Sequence, residues 1–193
     1  MRLEPIKNPT LVRKLVPPAI ALISTVVIAS FLAMVAGANP FSVIGLILKG
    51  SFGSQFAILE TLNRATPLIF TGLAVAVAFR AKFWNIGAEA QLYAGALMTV
   101  LLGTGILPWP SFAILPLIIF AAILAGAIVL LAPALLKTRF GVDEVVTTLL
   151  FNFIFLLFIS MLLEGVLKDP KGMGWPKSAR IIPEAKLPRI VDG

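Results

Sequence analysis

Charge is absent from four long stretches of this chain. No Asp, Glu, Lys or Arg occurs from Leu15 to Leu48, from Ala65 to Phe79, from Ala90 to Leu136, or from Val145 to Leu163. A helix needs about 20 mostly apolar residues to cross a hydrocarbon layer about 30 Å thick. Three of the four runs reach or approach that length, and the 47-residue run from Ala90 is long enough for two passes. Only 13% of the 193 residues are charged and 59% are apolar, whereas a soluble domain carries about 25% charged residues to keep its surface wet. The mean hydropathy is +1.02. A soluble fold does not hold so many unbroken apolar stretches. The sequence therefore predicts an all-α, polytopic integral membrane protein with about five transmembrane helices plus one interfacial or broken segment.

The first span is expected from Val16 to about Ala36. Its apolar core exceeds the roughly 7–15 residues of a signal peptide, so it reads as an uncleaved span, although Ala36-Gly37-Ala38 imitates a cleavage site. Asn39-Pro40 is expected to end it, because proline disfavours helical geometry in the residue before it. Phe41 to Asn63 is apolar but interrupted by Lys49 and Glu60, which suits an interfacial or broken segment. Further spans are expected over Thr66–Phe79 (short unless it borrows neighbouring residues), Ile86–Gly105, Phe112–Leu136 and Val145–Val166. Gly103, Gly105, Pro108 and Pro110 mark a turn, with Trp109 placed as an interfacial anchor. A polar, proline-rich tail closes the chain.

A net charge of +7 raises the question of nucleic acid, but the basic residues sit at the ends of the apolar runs rather than in stripes interleaved with aromatics. No nucleic-acid partner is expected. With the N-terminus in the cytoplasm, Arg2, Lys7, Arg13, Lys14, Arg80, Lys82, Lys137 and Arg139 fall on cytoplasmic segments, against Lys49 and Arg64 outside. That asymmetry follows the positive-inside rule, although six basic residues from Lys168 to Arg189 would then lie outside. The expected organisation is a cytoplasmic N-terminus over 1–15, a transmembrane domain over 16–166 and an external segment over 167–193.

Cysteine and histidine are both absent, which removes thiolate chemistry, His-based general catalysis and the commonest zinc sites. No metal and no cofactor is expected. There is no G-x-x-x-x-G-K-[ST] phosphate loop, and no nucleophile stands beside a base. The chain does not read as an enzyme.

Two polar clusters remain. In Asn85-Ile86-Gly87-Ala88-Glu89-Ala90-Gln91-Leu92-Tyr93, the residues Asn85, Glu89 and Tyr93 are spaced to share one helix face. Asn85 could be an N-cap, and Glu89 suits the positive end of a helix dipole. The same face could equally border a water-filled solute path, since ionisable groups inside membranes face cavities. Spacing alone supports the two readings alike. Gly87, Ala88, Ala90, Ala94, Gly95 and Ala96 offer small surfaces for close helix packing. The second cluster, Lys137 to Glu144, is a charged loop between spans; Asp143 and Glu144 suit the start of the next helix, and the loop could also dock a cytoplasmic partner. Asn152, inside that helix, could bond across helices or face solute.

Phe83-Trp84-Asn85-Ile86-Gly87-Ala88-Glu89-Ala90-Gln91-Leu92 and, some fifty residues later, Gly141-Val142-Asp143-Glu144-Val145-Val146-Thr147-Thr148-Leu149-Leu150-Phe151-Asn152 resemble the permease subunits of bacterial ABC importers for simple sugars and nucleosides, relatives of the ribose and branched-chain amino-acid permeases. Lys168-Asp169-Pro170, Gly174-Trp175-Pro176 and Ala185-Lys186-Leu187-Pro188 resemble the outer loop that follows. The resemblance covers roughly residues 65–190. It implies a permease in the bacterial inner membrane, working by alternating access with a cytoplasmic ABC ATPase subunit, a second permease subunit and an external solute-binding protein. Asn85, Glu89, Gln91, Tyr93 and Asn152 are then candidates for the solute path, and Arg139, Gly141, Asp143 and Glu144 for a minor ATPase contact. Such permeases are about twice this length, with the main coupling loop in the later half. The expectation is an N-terminal half that alone neither transports nor holds its ATPase. The rival classes are a non-transporting membrane scaffold or assembly subunit and an ion-coupled secondary transporter.

Overall fold

A computed structural model describes residues 10–105 and 110–188, except for the Lys14 side chain. Six α-helices run in order: α1 (Leu11–Val35), α2 (Pro40–Phe52), α3 (Gln55–Arg80), α4 (Ala88–Gly103), α5 (Ser111–Phe140) and α6 (Glu144–Glu164), followed by a 3-10 turn over Pro183–Ala185. Among the described residues the nearest thing to a strand is an isolated antiparallel bridge between Lys168 and Ser178. Arg2, Lys7, Pro108, Trp109 and Arg189, to which the sequence assigns roles, lie outside the described residues. The chain divides into two compact units between Arg64 and Ala65.

Four helices, α1, α3, α5 and α6, are long and apolar enough to cross a membrane. The protein is an all-α, polytopic membrane protein. The fifth expected span is α4, whose 16 residues cover about 24 Å at 1.5 Å per residue, less than the hydrocarbon thickness of about 30 Å.

In the first unit, α1 ends at Val35 and Gly37 follows with φ +78°, a left-handed conformation that glycine adopts without steric cost. Asn39-Pro40 therefore does not end this helix. It starts the next one: Asn39 caps α2 by accepting from the Phe41 amide at 3.0 Å, with Pro40 in the first turn, where its missing N–H costs nothing. α1 and α2 face each other through Val26, Ala29 and Ala33 on one side and Val43 and Ile47 on the other. The segment Phe41–Asn63 is broken, as its charges suggest, at Gly53-Ser54. Ser54 Oγ accepts from the Ala57 amide at 3.1 Å, and Thr61 Oγ1 donates to the Ser51 carbonyl at 3.0 Å. The residues after the break become the start of α3, which is how the short charge-free run over 65–79 acquires spanning length.

In the second unit α4 is packed on two sides. It runs antiparallel to α5: a Cβ added at Gly95 would meet Ala122 at 3.5 Å, and one added at Gly126 would meet the Gln91 backbone at 3.5 Å. Ala90, Ala94 and Val129 form the buried centre, flanked by Ala125, Phe151 and Phe155. Small residues permit this approach, and dispersion between close backbones holds helices together where lipid removes the hydrophobic drive. Along most of their length the spanning helices turn large apolar side chains outward, the surface that lipid covers. The tail is not a free end. The Ile182 amide donates to the Gly103 carbonyl at 2.8 Å, and Ala185 is buried against Ile114 and Ile118. The chain thus folds back over the C-terminal end of α4.

Candidate functional site

The two motifs read from the sequence, Phe83–Leu92 and Gly141–Asn152, meet each other. Residues Phe83 to Gly87 are non-helical and lead into α4, and they run along the first turns of α6. There Glu144, Thr148 and Asn152, spaced i, i+4 and i+8, present one polar row. Glu144 Oε1 accepts from the Trp84 amide at 3.3 Å. Thr148 Oγ1 accepts from the Ile86 amide at 3.2 Å while donating to the Glu144 carbonyl at 2.6 Å. The Asn152 carboxamide donates to the Ile86 carbonyl and accepts from the Ala90 amide, both at 2.9 Å. A non-helical segment exposes backbone groups that lipid cannot satisfy; this row satisfies three of them, and a fourth group, the Ala90 amide, in the first turn of α4.

Lys137, in the last turn of α5, completes the arrangement. Its ammonium forms an ion pair with Glu144, donates to the Lys82 carbonyl at 2.8 Å and lies 5.3 Å from the centre of the Phe83 ring, within cation–π range. Lys82 has φ +57°, an uncommon conformation for a residue with a Cβ, and it turns the chain out of α3. Gly141 follows α5 at φ +67° and caps it through its own amide to the Lys137 carbonyl at 3.0 Å. Asp143 accepts from the Val145 amide at 2.8 Å as the N-cap of α6.

The structure redistributes the sequence candidates. Helix α4 begins at Ala88, not Ile86, so Asn85 does not share a helix face with Glu89 and Tyr93. Nor is Asn85 the N-cap: that position is Gly87, which has no side chain to offer. Asn85 is 2% exposed and turns its amide oxygen onto the Gly87 amide at 2.9 Å and the Gln91 side chain at 3.3 Å. Asn152 is committed to the α4 backbone. Glu89 is exposed in the first turn of α4, where the helix dipole favours it. Tyr93 lines a pocket of ≈ 220 Å³ between α4, α6 and the tail, with Val100, Ile159, Leu163 and Ser178. Arg139, Gly141 and Asp143 are exposed, whereas Glu144 is buried in the row. Thr148, 1% exposed, Lys137 and Gly87 are members that the sequence marks only as part of a motif, as a flanking cation and as a packing residue. The i, i+4, i+8 spacing of Glu144, Thr148 and Asn152 is the signal that could have found the row.

The family model described as branched-chain amino acid transport system / permease component matches residues 57–191. A glucose ABC transporter permease protein of Haloferax volcanii is 34% identical over 173 residues, covering 90% of this chain and 45% of the relative. A guanosine ABC transporter permease protein of Bacillus subtilis is 36% identical over 155 residues, covering 80% of this chain and 44% of the relative. A nucleoside ABC transporter permease protein of Lactococcus lactis is 29% identical over 154 residues, covering 80% and 42%. The chain thus spans less than half the length of these relatives. No solved structure matches it.

Proposed function

This chain belongs to the permease-component family of branched-chain amino acid transport systems, and we propose from that premise that its helices form part of the membrane pathway of an ABC importer for a small polar solute, a simple sugar or a nucleoside. The match over residues 57–191 carries this reading. The substrates for which the relatives are named, glucose, guanosine and nucleosides, support the solute class. The chain itself performs no chemical step. A separate cytoplasmic ATPase drives alternating access, an external solute-binding protein delivers the solute, and a second permease subunit faces this one. The protein sits in a bacterial inner membrane with its N-terminus in the cytoplasm, a placement supported by the basic residues Arg80, Lys82, Lys137 and Arg139 at one end of the bundle.

Within this reading the polar residues divide by what their side chains already do. Asn85, Gln91 and Asn152 build the frame at the entry to α4. Glu89 and Tyr93, whose polar atoms are not committed to that frame, border the solute path or its gate. Arg139, Gly141 and Asp143, exposed between α5 and α6, form a contact for the ATPase, and Glu144 supports it from beneath through Lys137.

The assembled transporter that contains these helices, with its cognate ATPase and second permease subunit, reconstituted into vesicles with the external binding protein, tests the proposal. The expected result is ATP-dependent uptake of a sugar or nucleoside. Uptake that ignores ATP but follows an ion gradient would overturn it in favour of secondary transport.

A further inference from the structure

The segment that follows α6 exposes large apolar side chains. Leu167 donates its amide to the Leu162 carbonyl at 2.8 Å, so the loop leaves directly from the last turn of a spanning helix. Asp169 and Lys177 then close it, amide to carbonyl at 2.8 Å. Between them lie two successive turns, Gly172 amide to Asp169 carbonyl at 2.9 Å and Trp175 amide to Gly172 carbonyl at 3.0 Å. At the tip Met173 has φ +51°, a conformation that costs a residue with a Cβ on the order of 1 kcal/mol or more. The turn holds Met173 95% exposed and Trp175 72% exposed, and Val166 at the loop's base is 90% exposed.

Three cations share this loop with the apolar tip. Lys168, Lys171 and Lys177 are exposed, and Asp169, the single acid between Gly165 and Arg180, accepts from the Lys171 amide at 2.9 Å. The stem of Lys177 lies over Gly172, close enough that a Cβ there would meet its Cε at 3.1 Å. Tryptophan prefers the headgroup level of a bilayer, and lysines beside a surface attract anionic lipid. Both features lie on the segment that leaves the end of α6.

We propose that the loop from Val166 to Lys177 is an interfacial anchor, with Met173 and Trp175 seated at headgroup depth and Lys168, Lys171 and Lys177 holding anionic phospholipid. It fixes the end of α6 against the membrane surface, on the same segment that folds back over α4. Three lysines against a single acid beside an exposed tryptophan and methionine suit an anionic lipid surface.

The chain has no cysteine, so Met173→Cys can carry one environment-sensitive fluorophore on the full protein in vesicles. Lipids brominated near the headgroup serve as quenchers, in separate arms as phosphatidylcholine and phosphatidylglycerol. The expected result is quenching by both, stronger with phosphatidylglycerol, with that preference falling by about fivefold for each of Lys171→Ala and Lys177→Ala. A label at Trp175→Cys should behave in the same way, which guards against local disturbance at position 173. An unquenched, water-like emission in both lipids overturns the proposal, as does a response that arises only when an external binding protein is added. Equal quenching by the two lipids, unchanged by the lysine variants, overturns the anionic-lipid assignment.

Discussion

Asn152 caps a helix to which it does not belong. Its Oδ1 accepts from the Ala90 amide at 2.9 Å, the third residue after the N-cap position of α4, which is the bond an N-cap side chain ordinarily makes. The N-cap residue itself, Gly87, cannot supply it. Nor can Gly87 be replaced by a residue that would, because a Cβ there would stand 2.9 Å from the Thr148 carbonyl oxygen. Close approach of α6 to the entry of α4 excludes a local cap, and α6 provides one from 62 residues away.

Removing that amide should loosen the unit. Asn152→Ala leaves the Ile86 carbonyl and the Ala90 amide without partners, at a cost of about 1–3 kcal/mol. Asn152→Asp keeps the acceptor for the Ala90 amide but sets an oxygen against the Ile86 carbonyl, so it should also lose stability. Unfolding in mixed detergent micelles, followed by helix content, checks both, and equal stability of Asn152→Ala and the parent would show the cap to be unimportant.

Two glycines should respond oppositely to the same change. Gly87→Ala forces a methyl against the Thr148 backbone and should cost about 1–3 kcal/mol. At Gly95 the same methyl meets Ala122 at ordinary contact distance, 3.5 Å. Gly95→Ala should therefore be neutral or slightly stabilising, helped by alanine's helix propensity of up to about 1 kcal/mol. Thermal aggregation of the two purified variants reports the contrast.

Lys137 and Glu144 should behave as a unit. Lys137→Met strands a carboxylate that is 11% exposed, and Glu144→Gln removes the partner of an ammonium that also holds the Lys82 carbonyl. The double variant should be less destabilised than the sum of the singles, with a coupling energy of about 0.5–3 kcal/mol. Additive losses in the cycle would mean that the two groups stabilise the end of the bundle independently.

Glu89→Gln should impair uptake in the assembled transporter while leaving subunit abundance nearly unchanged, because the carboxylate is exposed and outside the polar row. Parallel loss of uptake and abundance, measured by transport assay and immunoblot, would make it a structural residue.

Topology can be read with single cysteines and an impermeant thiol reagent in intact cells. Position 139 should stay unlabelled from outside and position 180 should label. The reverse pattern would invert the orientation.

Charge-free runs and their flanking cations make the class of protein legible in the sequence, and the two motifs around Asn85 and Asp143 are recognisable as a pair. Asp143 and Glu144 stand where their charge suggests, at the start of α6. The differences are local. Asn39-Pro40 reads as a stop and acts as a start, because Gly37, two residues earlier, ends α1 first. Ile86 reads as helical and is non-helical, because the row on α6 offers its amide and carbonyl partners outside a helix.

What the sequence determined by itself is the class, an all-α polytopic membrane protein, and the apolar runs from which its four helices of spanning length are drawn. Transfer into hydrocarbon is a sum over residues along the chain, and the bilayer supplies the environment without reference to the fold. The start of α4, the burial of Asn85 and the duty of Asn152 were decided only in the tertiary structure. A backbone group away from water takes whichever partner packing brings within about 3 Å. For Ile86 and Ala90 that partner lies in another helix, at a separation no local pattern encodes.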